Sequence, residues 1–474
     1  MLFNSVIFLL FIPIVFLVYW LLPARFRNLH LLISSYFFYF SYNPWFLLLL
    51  FGTSAFDFWC AKRIDASDNP GIKKFWLTSS VVTNIGVLFA FKYFVPIANY
   101  FIYEFNKAEC VWDENTLFNN VIIPAGLSFY TFQSLSYTID VYRGKYKCSD
   151  TLYEFLLYVS FFPHMVAGPI VRYSDLMPQF KVVQYLKKID WESFIRLTIW
   201  GYFKKMVIAD NLSKLVTPVF NYVESYNSIE LLLAGFLFVV QVYCDFSGYS
   251  DIATGISKLF GINLSLNWRR PLLSKSLHEF WTRNHISITT WFRDYLYISL
   301  GGSRVSYVRW LINIFLVFLI SGAWHGANLT FVVWGALHGV VYIIEILVSK
   351  KFPNFKAPTF AGWLYLIFFH TISLIAFRAL NTEDLWHIYD KLFCSINLDN
   401  GISHLLAIAD RLFFYICMAL VILLFVKEYM EEHKRSDSFE KFKSSLRPFV
   451  YVLLLVLIFV LGDFNANEFI YFQF

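Results

Sequence analysis

The residues best suited to chemistry are histidines in apolar sequence, and His325 is the foremost of them. It stands in Trp324-His325-Gly326, within a stretch from Trp310 to Ile344 that contains no Asp, Glu, Lys or Arg. Placing an imidazole at membrane depth is costly, so such a residue usually serves a function. An imidazole that stays uncharged at neutral pH is a proton acceptor, and His325 is therefore a candidate general base.

Other histidines give weaker signals. His338 follows in the same stretch and His164 lies in Phe-Phe-Pro-His-Met, and both are predicted to be hydrogen-bonded core residues. His278-Glu279 and His285 lack the H-E-x-x-H spacing of a zinc helix. The six cysteines include no C-x-x-C pair, and we predict no metal site. The sequence also lacks a Walker A loop, a G-x-S-x-G elbow and a G-x-G-x-x-G fingerprint.

The elements that must position these residues belong to a polytopic membrane protein. Of 474 residues, 58% are hydrophobic and only 15% are charged, whereas soluble proteins carry about 25% charged residues. The first apolar run, residues 2–22, has neither a basic n-region nor a small-residue cleavage site, so we expect a retained membrane span. No polar connector is long enough for a soluble domain. We therefore expect one membrane domain over residues 1–474, with no nucleic-acid-binding module.

Two apolar runs are too long for a single span. Residues 29–60 carry Asn43-Pro44 midway and basic residues at both ends, which favours a broken hairpin that returns to the same side. Residues 310–344 would form a helix of about 50 Å. Gly322, Gly326 and Asn328 provide a break beside His325. Because broken helices at membrane depth survive only within protein or beside a wet cavity, we predict that His325 lines a cavity.

A basic segment, residues 264–309, differs from these runs. It contains seven Lys or Arg residues against Glu279 and Asp294, and its apolar residues recur at helical spacing, which predicts amphipathic helices near the membrane surface. Glu279 and Arg283 form an i,i+4 pair. The positive charge suits a membrane-flanking segment kept on the cytoplasmic side, and it equally suits docking of an acidic or phosphate-bearing partner.

Five stretches of sequence carry a resemblance to a known family. They are FFPHMVAGPIVR (161–172), DFSGYSDIATGISKLFGI (245–262), HEFWTRNHISITTWFRDYLYISLGGSR (278–304), SGAWHGANLTFVVWGALHG (321–339) and FIYFQF (469–474). In this order they resemble the membrane-bound O-acyltransferase family, in particular its bacterial alginate and polysaccharide O-acetyltransferases, with the D-alanyl-transferring teichoic acid enzymes as cousins. The resemblance implies an all-α fold of about 11–13 membrane helices, some broken or re-entrant, with a thinned core and a central tunnel.

The resemblance also implies an activity. A chain of this kind transfers an acyl group, most often acetyl, from a cytoplasmic thioester such as acetyl-CoA or an acyl carrier protein, and it holds no bound cofactor. The acceptor is a hydroxyl of an exported glycan or of an extracytoplasmic relay protein, and the enzyme resides in the bacterial cytoplasmic (inner) membrane. His325 is implied as the catalytic residue and His285 as its partner across the tunnel. Relatives commonly have an aromatic residue where this chain has Asn284.

Several further residues are candidates for substrate contacts. The oxyanion formed on the thioester needs hydrogen-bond donors, for which His285, Trp324 and backbone N–H groups beside Gly322 all stay open. Asp245 begins a polar cluster with Ser247, Ser250 and Asp251, which suits shaping of the cavity or helix capping as well as substrate binding. Four basic side chains are candidates for binding donor phosphates: Arg269, Arg270, Lys275 and Arg304.

Two other classes of function compete with the acyltransferase. A transporter or flippase for an acyl or glycan precursor would also have broken helices and buried polar residues. Against transport stand the single dominant histidine motif and the lack of an inverted repeat. A non-catalytic scaffold for a glycan synthase is the third class, and a normal phenotype for His325→Ala would favour it.

Overall fold

The structure is a computed structural model, and its described part is helical. Described residues are 1–94, 124–149, 151–354, 358–399, 401–408, 410–434, 446–464 and 469–470. They include no β-strand, which confirms the predicted all-α class. The polar connector predicted at 104–120 and the last four residues of the tail motif lie outside the described residues.

The described residues group into two compact units. One comprises Met1–Phe194 with Ala253–Ser265, and the other comprises Ile195–Ile252 with Leu266–Phe474. Two helices, Trp191–Tyr202 and Ser228–Lys258, contribute residues to both units. The expectation of one membrane domain stays a prediction.

The first unit begins with antiparallel apolar helices and ends in shorter ones. The break predicted at Asn43-Pro44 is confirmed: the Asn43 side chain accepts a hydrogen bond from the Trp45 N–H at 2.9 Å and begins a new helix with proline in its first turn. His164 is buried beside Gln133, with side-chain nitrogens 2.9 Å apart, as expected of a core histidine. The helical segments of this unit are Val6–Leu21, Ala24–Phe40, Pro44–Asp65, Pro70–Phe89, the π-helical Ala90–Phe94, Leu127–Tyr142, Leu152–Ser160, Phe162–Met165, Tyr173–Lys181 and the 3-10 turn Leu186–Lys188.

The second unit contains all the residues of the predicted site. Besides the two shared helices, its helical segments are Phe203–Ala209 (π), Asp210–Asn221, Val223–Ser225 (3-10), Pro271–Leu273 (3-10), Leu277–Arg283, Ile286–Trp291, Phe292–Tyr297 (π), Tyr307–His325, Leu329–Lys351, Thr359–Arg378, Thr382–Phe393, Ser403–Ile408, Arg411–Lys434 and Arg447–Leu461.

Seven helices among the described residues are long and apolar enough to cross a membrane, which confirms the polytopic class. They are Pro44–Asp65, Pro70–Phe94, Ser228–Lys258, Tyr307–His325, Leu329–Lys351, Thr359–Arg378 and Arg411–His433. Val6–Leu21 and Arg447–Leu461 are shorter apolar helices. The π-helical and 3-10 segments between them agree with a fold in which several helices are broken.

The predicted break beside His325 is confirmed. Helix Tyr307–His325 ends at the histidine itself, and Leu329–Lys351 begins after Asn328, whose side chain accepts a hydrogen bond from the Thr330 N–H at 3.1 Å. Gly322 does not interrupt the first helix, which continues through it to His325. A Cβ at Gly322 would collide with the Phe331 carbonyl, so the glycine is there to let the two helices approach closely.

The basic segment forms the predicted amphipathic helices. Leu277–Arg283 begins at Ser276, whose hydroxyl accepts a hydrogen bond from the Glu279 N–H at 3.1 Å. Arg283 pairs with Glu279 one turn away, with Nη2 and Oε1 2.5 Å apart, as the i,i+4 spacing predicted. The apolar face of these short helices turns inward and positions the residues between them.

Candidate active site

A small cavity in the second unit brings together three residues that the sequence singled out. Its volume is about 80 Å³, and His325, His285 and Trp324 line it. His325 is 8% exposed, and its ring centroid lies 5.2 Å from Trp334 and 4.9 Å from Phe377, both edge-to-face. The imidazole is thus held by aromatic rings in apolar surroundings, where an uncharged base is favoured. We call this space the catalytic cavity, after the role that the sequence resemblance implies for His325.

His285 occupies a backbone conformation that side chains rarely adopt. Its φ of 43° lies in the left-handed region, where a residue with a Cβ costs about 1–2 kcal/mol. Among the described non-glycine residues, only His285 and Arg270 have a positive φ. Such strain persists where the surroundings over-determine the conformation, and it clusters at functional sites.

The His285 ring is held in one orientation and one protonation state. Trp268 stacks on it with ring centroids 5.7 Å apart, and Phe246 meets it edge-on at 4.6 Å. Its Nδ1 lies 3.3 Å from the side-chain oxygen of Asn267. Because this oxygen can only accept, Nδ1 carries the proton and Nε2 keeps its lone pair. Burial lowers the pKa of His285 to about 3, so the ring is neutral at physiological pH.

Asn267 is a site residue that the sequence reasoning missed. Its oxygen also accepts a hydrogen bond from the Ser287 N–H at 3.1 Å, and its backbone carbonyl accepts one from the Ile286 N–H at 2.9 Å. Ser250 supports the same region, since its hydroxyl accepts from the Trp268 indole at 3.1 Å and from the Asn267 amide at 3.4 Å. Ser250, a member of the polar cluster that begins at Asp245, therefore holds two partners of His285 in place.

Two further histidines line the catalytic cavity, His338 and His370. Both are buried, and their ring centroids are 5.5 Å apart. His338 is a core residue as predicted, but neither ring nitrogen has a hydrogen-bond partner among the described residues, so the predicted hydrogen bond is not found there. His370 lies 3.0 Å through Nδ1 from the Leu366 carbonyl. The sequence reasoning passed over His370, although its apolar neighbours gave the same signal as those of His338.

A second and larger space adjoins the catalytic cavity. Its volume is about 650 Å³, and six cationic and four carboxylate side chains line it. Tyr243 and Trp268 line both spaces and therefore form the partition between them. The cationic residues are Arg196, Lys204, Arg269, Arg270, Arg283 and Lys427, and the carboxylates are Asp251, Glu428, Glu431 and Glu432. We call this space the charged cavity.

In the charged cavity, carboxylates from another helix pair with part of the basic segment and neutralise some of its positive charge. Helix Arg411–Lys434 extends past its apolar part, into residues 427–434 that the sequence predicted to belong to a polar connector, and places Glu432 beside two arginines. Glu432 accepts from Arg270 Nε at 3.0 Å and from Arg283 Nη2 at 2.9 Å. Arg269, in contrast, has no ion pair with any described residue. Cations exceed carboxylates, which suits an anionic ligand.

The other predicted binding residues lie elsewhere. Asp245 is buried in an ion pair with Lys205, at 2.6 Å, and accepts a hydrogen bond from the Ile470 N–H at 3.0 Å. It lines neither cavity. Lys275 and Arg304 are exposed and line neither cavity. Of the four basic candidates, the structure brings only Arg269 and Arg270 together.

Comparisons with known proteins agree with the sequence resemblance. The family model for the membrane-bound O-acyltransferase family matches residues 149–383. The chain is 38% identical over 400 residues to the probable alginate O-acetylase of Pseudomonas aeruginosa, covering 83% of this chain and 75% of that protein. It is 31% identical to the peptidoglycan O-acetyltransferase of Helicobacter pylori, covering 100% of this chain and 98% of that protein. The teichoic acid D-alanyltransferase of Streptococcus thermophilus is 28% identical, covering 48% of this chain and 57% of that protein.

Proposed function

We propose that this chain, which belongs to the membrane-bound O-acyltransferase family and is an O-acyltransferase, moves an acetyl group from a cytoplasmic thioester to a hydroxyl of an exported polysaccharide. The acceptor hydroxyl belongs to the glycan itself or to an extracytoplasmic relay protein. The observation that carries the proposal is the catalytic cavity, which His325 and His285 line together. The names of the alginate and peptidoglycan relatives support acetyl as the acyl group and a polysaccharide as the final acceptor.

The size of the catalytic cavity supports a short acyl group. One water requires about 10–15 Å³ of such a volume, so about 80 Å³ accommodates only a handful of heavy atoms. That is room for an acetyl group with its sulfur, and it is too little for a long acyl chain. The seven apolar helices support a membrane location for this reaction, and the proposal places it in the bacterial cytoplasmic membrane.

His325 is assigned as the general base. Its neutral ring takes the proton of the acceptor hydroxyl while the hydroxyl oxygen bonds to the thioester carbonyl carbon. The resulting oxyanion collapses, the carbon–sulfur bond breaks, and the thiolate takes the proton back from the imidazolium. The products are an ester and a free thiol, and the base is regenerated.

The oxyanion is assigned to the indole N–H of Trp324. That ring lies 4.7 Å from the His325 ring, centroid to centroid, and lines the same cavity. His285 suits this task less well, because its Nδ1 proton is used towards Asn267 and its Nε2 can only accept. His285 instead orients the donor by accepting a hydrogen bond from one of its N–H groups.

The charged cavity is assigned to the phosphates of the donor, carried by coenzyme A or by a carrier protein. It adjoins the catalytic cavity across the partition of Tyr243 and Trp268, and the proposal places the thioester arm past this partition while its phosphates stay among the arginines. Arg269 supports this assignment, since it lines the cavity and has no ion pair with any described residue.

The test is transfer of radiolabelled acetyl from the thioester to isolated polysaccharide by the purified chain in liposomes. His325→Ala should lower the rate by about 10²–10⁴-fold, the usual cost of losing a positioned acid–base group. The matched control is His387→Ala, on helix Thr382–Phe393 and outside both cavities. Undiminished transfer by His325→Ala would refute the assignment. Movement of a glycan precursor without consumption of thioester would indicate a transporter instead.

A further inference from the structure

An apolar cavity lies beside the catalytic cavity on a different side from the charged one. Its volume is about 600 Å³, within the range of small-molecule sites. Its walls come from helix Tyr307–His325, through residues such as Ile314 and Val317, and from the short helices of the basic segment. Three residues line both this space and the catalytic cavity: Trp281, Ile288 and Ser321. We call it the lateral cavity.

The polar groups that line the lateral cavity are largely engaged within the protein. Three threonine hydroxyls donate to nearby carbonyls: Thr282 to Glu279 at 2.6 Å, Thr289 to Asn284 at 3.2 Å and Thr290 to Ile286 at 2.8 Å. A sugar in this space would therefore lose its hydration and find few replacement partners.

Most polar aromatic side chains of the lining follow the same pattern, Trp281 excepted. The Trp310 indole N–H donates to the Tyr297 hydroxyl at 2.8 Å, and His278 Nδ1 lies 2.7 Å from the Tyr342 hydroxyl. With these groups engaged, the lining offers mainly methyl groups and ring faces. An apolar ligand is the one that such a lining stabilises.

One cationic side chain, Arg293, lines the lateral cavity. Arg293 is 61% exposed, and only its Nε is paired, with Asp294 at 2.8 Å. Its terminal nitrogens have no hydrogen-bond partner among the described residues. Guanidinium N–H groups suit phosphate oxygens, so the lining joins a long apolar space to one anion-binding group.

We propose that the lateral cavity binds a hydrocarbon chain of a phosphate-bearing membrane lipid, with the headgroup at Arg293. The same helix turns Ile312 and Ile320 outward, 46% and 42% exposed, so its outer face suits contact with bilayer lipid. A bound chain covers Trp281 and Ile288 and thereby completes the apolar wall of the catalytic cavity. A phospholipid and a polyprenyl phosphate share this chemistry.

The test is native mass spectrometry of the delipidated full chain with added phosphatidylglycerol, phosphatidylcholine or polyprenyl phosphate, in the absence of any acyl donor. Val317→Trp fills the cavity and should weaken binding of a chain by about tenfold or more, since each buried methylene contributes several-fold. The control Ile312→Trp introduces a tryptophan on the outer face of the same helix. This variant should bind lipid like the native protein. Thermal melting establishes that both variants are folded.

Arg293→Gln provides the second variant. It should weaken binding of phosphatidylglycerol by about fivefold, the effect of one basic residue near an anionic headgroup, and leave phosphatidylcholine unchanged. Tighter binding of polyprenyl phosphate than of phospholipid supports a hydrocarbon chain in the lateral cavity. It also identifies the bound lipid as a lipid carrier. Equal lipid binding by Val317→Trp and Ile312→Trp overturns the proposal. Because no donor is present, this outcome is independent of the acyl-transfer proposal.

Discussion

The catalytic and charged cavities adjoin each other and have opposite chemistry. One has a volume of about 80 Å³ and is lined by aromatic rings and four histidines. The other, at about 650 Å³, is lined by ten ionisable side chains of both signs. Tyr243 and Trp268 separate them, and the Tyr243 hydroxyl donates to Glu428 on the charged side while Trp268 stacks on His285 on the other.

The difference agrees with the separate roles proposed for the two cavities, the chemical step in one and phosphate binding in the other. An imidazole base works best in a dry space that keeps it uncharged and strengthens every dipole aimed at the reacting atoms. Arginines that bind phosphates, in contrast, need carboxylates and water to hold them in place before a ligand arrives. Changes on the catalytic side should therefore lower kcat, whereas changes on the charged side should raise KM.

After His325→Ala, the largest effect is expected for His285→Ala. If this ring orients the thioester, its loss should lower kcat by about 10²-fold or more, the lower range for a positioned catalytic group. Stopped assays of acetyl transfer at saturating donor measure it, with His387→Ala as the control. Normal turnover at saturating donor would mean that His285 does not act beside the chemistry.

A smaller effect with a distinct signature is expected at Asn267. Removing the acceptor in Asn267→Ala should cost about tenfold in kcat, because a charge-free hydrogen bond contributes about 1 kcal/mol and the ring then turns more freely. The Asn267→Asp variant keeps an acceptor but adds a negative charge beside Nδ1, which should raise the pKa of His285 from about 3.

The pH dependence distinguishes the two variants. With a pKa of about 3, the native ring stays neutral from about pH 5 to 8 and contributes no titration there. In Asn267→Asp, the ring should gain a proton as pH falls towards its raised pKa, Nε2 should lose its lone pair, and the rate relative to the native chain should fall. A ratio of rates that is constant with pH would show that Asn267 acts only structurally.

The smallest effect is expected on the charged side. Arg269→Gln should raise KM for the thioester by about fivefold without changing kcat, since one exposed cation near a phosphate contributes about 1 kcal/mol. The effect should diminish as salt is added. Arg304→Gln is the matched control, because both arginines are exposed in the same basic segment and only Arg269 lines the cavity. Equal KM values for the two variants would contradict phosphate binding in the charged cavity.

Local signals in the sequence predicted much of the fold. Asn43-Pro44 and Asn328 are capping residues, and the helices begin where they stand. The break beside His325 followed from the length of the apolar run and its glycines. Glu279 and Arg283 pair as their spacing requires. Each of these features depends on residues within a few positions of one another.

The partners of His285 and the composition of the charged cavity could not be predicted in this way. Asn267 is 18 positions from His285, and Glu432 is 149 positions from Arg283. Only the folded chain brings them together, and neither residue type is unusual in its local sequence. Asp245 gave a polar signal among apolar residues, but its buried partner Lys205 is 40 positions away, so an internal ion pair could not be distinguished from a substrate contact.

The close contact of helices at Gly322 bears on which step limits the rate of the reaction. Because that glycine meets Phe331 and Gly335 without any side chain between them, helices Tyr307–His325 and Leu329–Lys351 pack backbone against backbone at this point, and a side chain at Gly322 would force them apart. His325, three residues further on, is then anchored at a constant depth. We expect the His325 ring to keep its position during turnover. The thioester and the hydroxyl must then reach the ring, and the rate of turnover depends on their arrival rather than on a closing motion of the protein.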